Sequence, residues 1–156
     1  MKATFGSDPI DQYSIPVSKR KTKLATIYKL NPRDRKDKPG RLLEVLWDER
    51  KPYVDGFDNR YSYTVIFKKS KAFAGNHYHK VKQELFTPLA GKFTIFLENI
   101  RTKEKETVLM DAKDHEMIYI HVGIAHKVQA EEAGAVLFVA ATSSGVVGDE
   151  IPYKLI

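Results

Sequence analysis

From residue 24 onward, turn signals cut the chain every eight to twelve residues into short segments rich in branched and aromatic side chains. Residues 24–30, 41–47, 61–68, 72–79, 83–90, 92–100, 106–110, 116–122, 126–130 and 135–142 each read as a strand bounded by Gly, Pro, Asn, Asp or charged clusters. Within 61–68 the alternation sets Tyr61, Tyr63, Val65 and Phe67 on one face. No stretch sustains a helical period. Ten short strands and no helix confine the chain to an all-β sandwich or barrel, and 156 residues suit one such domain.

The ends are less regular. Residues 1–23 are polar and broken by Pro9 and Pro16, and read as an N-terminal arm ahead of a barrel domain over 24–156. Residues 31–40 and 48–60 read as loops, and the irregular 143–153 as a cap on one barrel mouth. Apolar runs are too short for a membrane span, the N-terminus lacks an apolar signal segment, and cysteine is absent. These point to a cytoplasmic protein without membrane contact or disulfides. The net charge of +6 is concentrated early, because residues 1–41 carry eleven Lys/Arg against four Asp/Glu. Such a segment suits phosphate groups. No aromatic-interleaved nucleic-acid motif accompanies it, so DNA and RNA are not expected partners.

The chemistry concentrates in G-N-H-Y-H-K-V-K-Q-E-L-F-T-P-L-A-G (75–91). On a strand His77 and His79 point the same way, and Glu84 joins them if the next strand folds back beside the first. His126 follows a later apolar run. Singly, each histidine is unremarkable; together, three imidazoles and a carboxylate suit zinc, manganese, iron or nickel, with a position open to substrate. His115 and His121 are expected at the surface or rim, and Tyr78, facing away from its flanking histidines, in packing. Tyr61, Tyr63 and Tyr119 fit either the core or a pocket.

The pattern H-x-H, four residues, E, six residues, G matches the first motif of the cupin superfamily without a gap, and Gly123 and His126 match the glycine and histidine of the second. The chain is thus identified as similar to cupins, which implies a jelly roll, or double-stranded β-helix. His121 and His115 stand where the second motif usually has proline and glycine. A narrower likeness lies in D-R-K-D-K-P-G-R-L-L-E-V-L (34–46), which resembles the opening of the dTDP-4-dehydrorhamnose 3,5-epimerase (RmlC-like) family. Residues 74–86 are similar to the cupin domain of capsular polysaccharide enzymes that act on nucleotide-linked keto sugars. The resemblance, spanning roughly 24–142, implies an epimerase or isomerase of a nucleotide-linked keto-deoxysugar in surface polysaccharide biosynthesis. It also implies a homodimer and His77 as the base removing a proton alpha to a ketone. That family usually has Gln where His79 stands and uses no metal; this chain departs by restoring the full ligand set. A pyrophosphate-linked substrate calls for cationic clamps, for which Arg41, Arg60, Lys80 and Lys82 are the candidates. The alternatives are a metal-dependent cupin oxygenase or small-molecule isomerase, and a non-catalytic sugar-binding cupin.

Overall fold

A computed structural model describes residues 4–5, 8–9, 18–35 and 37–155. Short strands dominate, and no α-helix occurs among the described residues. They are β1 (Thr4–Phe5), β2 (Asp8–Pro9), β3 (Ser18–Lys21), β4 (Thr26–Lys29), β5 (Arg33–Arg35), β6 (Lys38–Leu43), β7 (Tyr61–Phe67) and β8 (Phe73–His79). After them come β9 (Glu84–Ala90), β10 (Lys92–Asn99), β11 (Lys105–Asp111), β12 (Glu116–Ile120), β13 (Ile124–Ala130), β14 (Ala135–Ala141) and β15 (Glu150–Pro152). Two antiparallel sheets form the body, in the orders β11-β10-β13-β8-β15 and β3-β4-β12-β9-β14-β7. Their inner faces close on one core of Ile27, Phe67, Phe86, Phe93, Ile95, Leu97, Ile118, Val128, Leu137 and Val139. This is the all-β architecture expected from the strand pattern, in the jelly-roll form that the cupin resemblance implies.

The central strands of the six-stranded sheet are buried on both sides. Leu85, Met117, Tyr119 and Ala140 alternate with the core residues and point outward, where Trp47, Tyr53, Val54 and Phe57 cover them. The reading of 41–47 as a strand is corrected here. β6 ends at Leu43, and residues 44–47 leave the ladder to pack Trp47 against Tyr53 and Phe57 at centroid distances of 5.1 and 5.3 Å. The loop expected over 31–40 is instead largely a β5–β6 hairpin. Two further segments gain structure. Ser18–Lys21, assigned to the polar arm, pairs with β4 as an edge strand, and most of the remaining arm lies outside the described residues. The tail expected to be irregular contains β15, which pairs with the motif strand β8. No helix among the described residues is long and apolar enough to cross a membrane.

Candidate active and metal site

The site is made by a distortion in β8. Gly75 and Asn76 both have positive φ, at 98° and 65°, and the β8–β13 register shifts between His126 and Lys127. This bulge brings the two backbones so close that a Cβ on Gly75 would lie 2.5 Å from the His126 carbonyl oxygen, a place only glycine can fill. Beyond the shift His77 stands directly opposite His126, with ring centroids 4.9 Å apart, and His79 follows on the same face at 4.8 Å from His77. Glu84 reaches them differently from the expected fold-back. β9 belongs to the other sheet, and Glu84 projects across the barrel interior toward the three rings. One ligand atom from each of the four residues lies within 4.8 Å of all the others.

Proton accounting shows what this cluster lacks. His126 Nδ1 bonds the Ile124 carbonyl at 3.1 Å, which can only accept, so a neutral ring turns its bare Nε2 to Glu84 Oε1, 3.2 Å away. His79 Nε2 lies 3.2 Å from the same oxygen, and its Nδ1 3.3 Å from Asp149 Oδ2. None of these His79 and Glu84 contacts is aligned as a hydrogen bond, leaving both His79 nitrogens and Glu84 Oε1 buried without a bonded partner. Acceptors therefore converge with nothing between them, the arrangement a cation or additional protons would satisfy. The charges agree: among the described residues Glu84, Asp149 and Glu150 gather at the histidines with one lysine, Lys82, against Glu84, a balance that suits a divalent ion. Among the described residues the donor set and its orphaned atoms fit such a metal.

Burial by itself would raise the Glu84 carboxyl, yet contacts with His126, His79 and Lys82 outweigh it and hold it well below the carboxylate range. His77 is lowered from 6.5 to about 4, first by burial and then by His126, against the pull of Glu150. It is neutral at pH 7, with a lone pair available.

Two cavities touch the cluster. An interior one of about 60 Å³ is lined by Tyr63, His77, Glu84, Phe86, His126 and apolar side chains. A more open one of about 370 Å³ lies between His79, Lys82, Asp149 and Glu150 and the loop Ser144–Val147. Only the second approaches the size of a small-molecule pocket. Tyr63 resolves as a pocket residue; burial and then the Glu84 charge push its hydroxyl well above the ordinary value, keeping it protonated. Tyr119 packs outside the barrel with Phe57, and Tyr78 meets Tyr153 edge to face.

Of the four expected clamps, Lys82 is in the cluster, 9% exposed, with Nζ 3.7 Å from Glu84 Oε2. Arg41, Arg60 and Lys80 are exposed and line neither cavity; Arg60 pairs with Asp58 at 2.6 Å. His121 is exposed, and His115 sits at the rim, its Nδ1 against Glu44. Sequence reasoning missed Asp149 and Glu150. Glu150 Oε1 lies 3.3 Å from His77 Nδ1, and this proximity arises from β15 pairing with β8, which no local period signals.

The comparisons extend the picture. A family model described as "FdtA: WxcM-like, C-terminal" matches residues 21–149, while no curated protein matches the chain. Among solved structures, a dTDP-4-dehydrorhamnose 3,5-epimerase from Bacillus anthracis with TDP and pyrophosphate bound superposes at TM-score 0.71, with 10% identity over 89% of this chain and 91% of its own. The QdtA 3,4-ketoisomerase from Thermoanaerobacterium thermosaccharolyticum, as a double mutant with TDP, gives 0.69 at 19% identity over 85% and 89%. The TDP-fucose-3,4-ketoisomerase WlaRA from Campylobacter jejuni gives 0.67 at 16% identity over 81% and 87%. At these identities the likeness establishes the fold.

Proposed function

Because the chain belongs to the FdtA family of WxcM-like C-terminal domains, we propose that it isomerises or epimerises a nucleotide-linked keto-deoxysugar for surface polysaccharide biosynthesis. The observation that carries the reading is a neutral His77, 3.3 Å from the Glu150 carboxylate, that shares the lining of the interior cavity with the protonated phenol of Tyr63. Abstraction of a proton alpha to a ketone needs a base near neutrality and stabilisation of the enolate oxygen. His77 would supply the first, and the protonated Tyr63 hydroxyl, lining the same cavity, would donate to the second. The fold neighbours include proteins named as epimerases and ketoisomerases of TDP-linked sugars, the same class of chemistry.

We infer also that His77, His79, Glu84 and His126 hold a divalent metal, with zinc, manganese, iron and nickel all compatible with the donors. Bound there, it would supply Lewis-acid stabilisation of an enolate oxygen. The base and ligand roles of His77 draw on one lone pair, so chelation separates them. The protein is read as a cytoplasmic homodimer without membrane or nucleic-acid partners. The exposed Tyr61 and Ile66 on the edge strand β7 support self-association, and a monomeric mass near 17.8 kDa by light scattering would refute it.

The test of the chemistry is incubation with a thymidine-linked 4-keto-6-deoxyhexose in deuterated water, with NMR of the ring protons. Wild type should incorporate deuterium, His77→Asn should lose at least ~10²-fold in exchange, and His121→Asn should match wild type. Exchange surviving chelation assigns the proton transfer to His77 without metal assistance; exchange lost with the metal shows that Lewis-acid stabilisation of the enolate is required. No incorporation with any thymidine- or uridine-linked keto sugar would refute the isomerase reading. Oxygen uptake would then favour the oxygenase alternative, and its absence a sugar-binding one.

A further inference from the structure

The carboxylate of Asp149 is almost fully buried, 3% exposed, in a tail segment otherwise open to solvent. Its Oδ1 accepts the backbone N–H groups of Lys80 and Val81, each at 2.7 Å, and its Oδ2 accepts that of Lys82 at 3.1 Å. Oδ2 also lies 3.3 Å from His79 Nδ1. The carboxylate thereby fastens the loop after β14 onto the turn that follows the motif strand, from outside the barrel. On the far side of the same imidazole stands Glu84 Oε1.

We propose that Asp149 is a positioning residue that sets the tautomer of His79. A neutral imidazole carries one proton, and His79 lies between two acceptors. Asp149, fixed by three backbone donors, holds an oxygen 3.3 Å from Nδ1, and a small rotation of the ring would let Nδ1–H donate to it, drawing the proton outward. Nε2 is left bare toward the cluster, in parallel with His126, whose Nδ1 is held by the Ile124 carbonyl. Two separate elements thus turn two lone pairs onto Glu84 Oε1: the strand's own backbone for His126, and the C-terminal tail for His79. Nothing in this assignment depends on the sugar chemistry, and only its last consequence rests on the metal reading.

Asp149→Asn makes the decisive change. The amide oxygen can keep the two 2.7 Å bonds from Lys80 and Val81, which puts the NH₂ where Oδ2 faced His79 and leaves the Lys82 N–H without its acceptor. The proton should then move to Nε2, converting His79 from an acceptor toward the cluster into a donor to Glu84. The readout is long-range ¹⁵N–¹H NMR of the imidazoles in metal-free protein, on the alkaline side of imidazole titration. Wild type is expected to show His79 protonated at Nδ1 and bare at Nε2, with the two exchanged in Asp149→Asn. Zinc affinity, measured separately, should fall by ~10–100-fold in the variant. Wild-type His79 protonated at Nε2 or at both nitrogens overturns the proposal, and this measurement stands even if the variant fails to fold. An unchanged tautomer in folded Asp149→Asn overturns it too, leaving Asp149 as a loop anchor. A wild type that binds no zinc but shows the expected tautomer refutes the metal reading alone.

Discussion

Substituting Gly75 by alanine tests whether the β8 bulge is what brings His77 and His126 together. The added Cβ would meet the His126 carbonyl oxygen at 2.5 Å, Lys127 Cα at 3.1 Å and the His126 carbonyl carbon at 3.2 Å. All three are backbone atoms, so no side-chain rotation relieves the overlap. The left-handed φ of 98° adds about 1–2 kcal/mol of conformational strain, and separating the strands adds about 1–3 kcal/mol. The sum, about 2–5 kcal/mol, is a large share of the ~5–15 kcal/mol stabilising a typical domain. At roughly 2–4 °C per kcal/mol for a chain of this size, the melting temperature should drop by roughly 4–20 °C. Gly56→Ala is the reference: its φ is 72°, and nothing lies within 4 Å of the added Cβ, so it carries strain alone. Gly91→Ala carries strain plus a clash with Ala135, far along the barrel from the histidines. Thermal melts by circular dichroism and zinc binding should be measured on all three. Gly75→Ala should lose both stability and zinc affinity, whereas Gly91→Ala should lose stability only. A Gly75→Ala protein that melts with Gly56→Ala and binds zinc like wild type would refute the argument that close backbone approach builds the site.

Three other expectations follow from the geometry. In the metal-free protein the unfolded chain takes up a proton at His77 near pH 6.5 while the folded protein does so only near 4; stability from this group is present above about 6.5 and lost as pH falls toward 4. Urea midpoints across that window should decline less steeply in His77→Gln, and parallel curves would contradict the shift. Glu106 accepts from Thr22 Oγ1, Lys23 N and Leu24 N at 2.8, 3.2 and 2.7 Å, so Glu106→Ala should cost about 2 kcal/mol in denaturant unfolding, and a loss below ~0.5 kcal/mol would show the clamp to be dispensable. Ile95→Ala in the intersheet core should cost about 2–5 kcal/mol, whereas Leu109→Ala, at a position 74% exposed, should stay within about 0.5 kcal/mol; equal losses would mean that the inner and outer faces of the five-stranded sheet are wrongly assigned.

Much of this protein is local information. Alternation of side chains has a period that backbone geometry imposes, so the strands around Tyr61–Phe67, Phe73–His79 and Ala135–Ala141 are legible within the chain. The same alternation places His77 and His79 on one face, as the structure bears out. The spacing to Glu84 and His126 marks them as companions without giving the path by which they meet. What only the tertiary structure decided is which sheet each strand joins and what lies behind each histidine. Glu84 comes from across the barrel because β9 pairs with β12 and β14, and a strand's neighbours are not written in its own period. Trp47 left its ladder because burying an aromatic cluster on the outer face of the sheet outweighed pairing there. Asp149 and Glu150 reach the imidazoles because a three-residue strand docks beside β8, too short to carry a periodic signal. The members of the cluster were thus readable from residue type and spacing, whereas the carboxylates that stand beside its histidines depend on contacts some seventy positions apart in the chain.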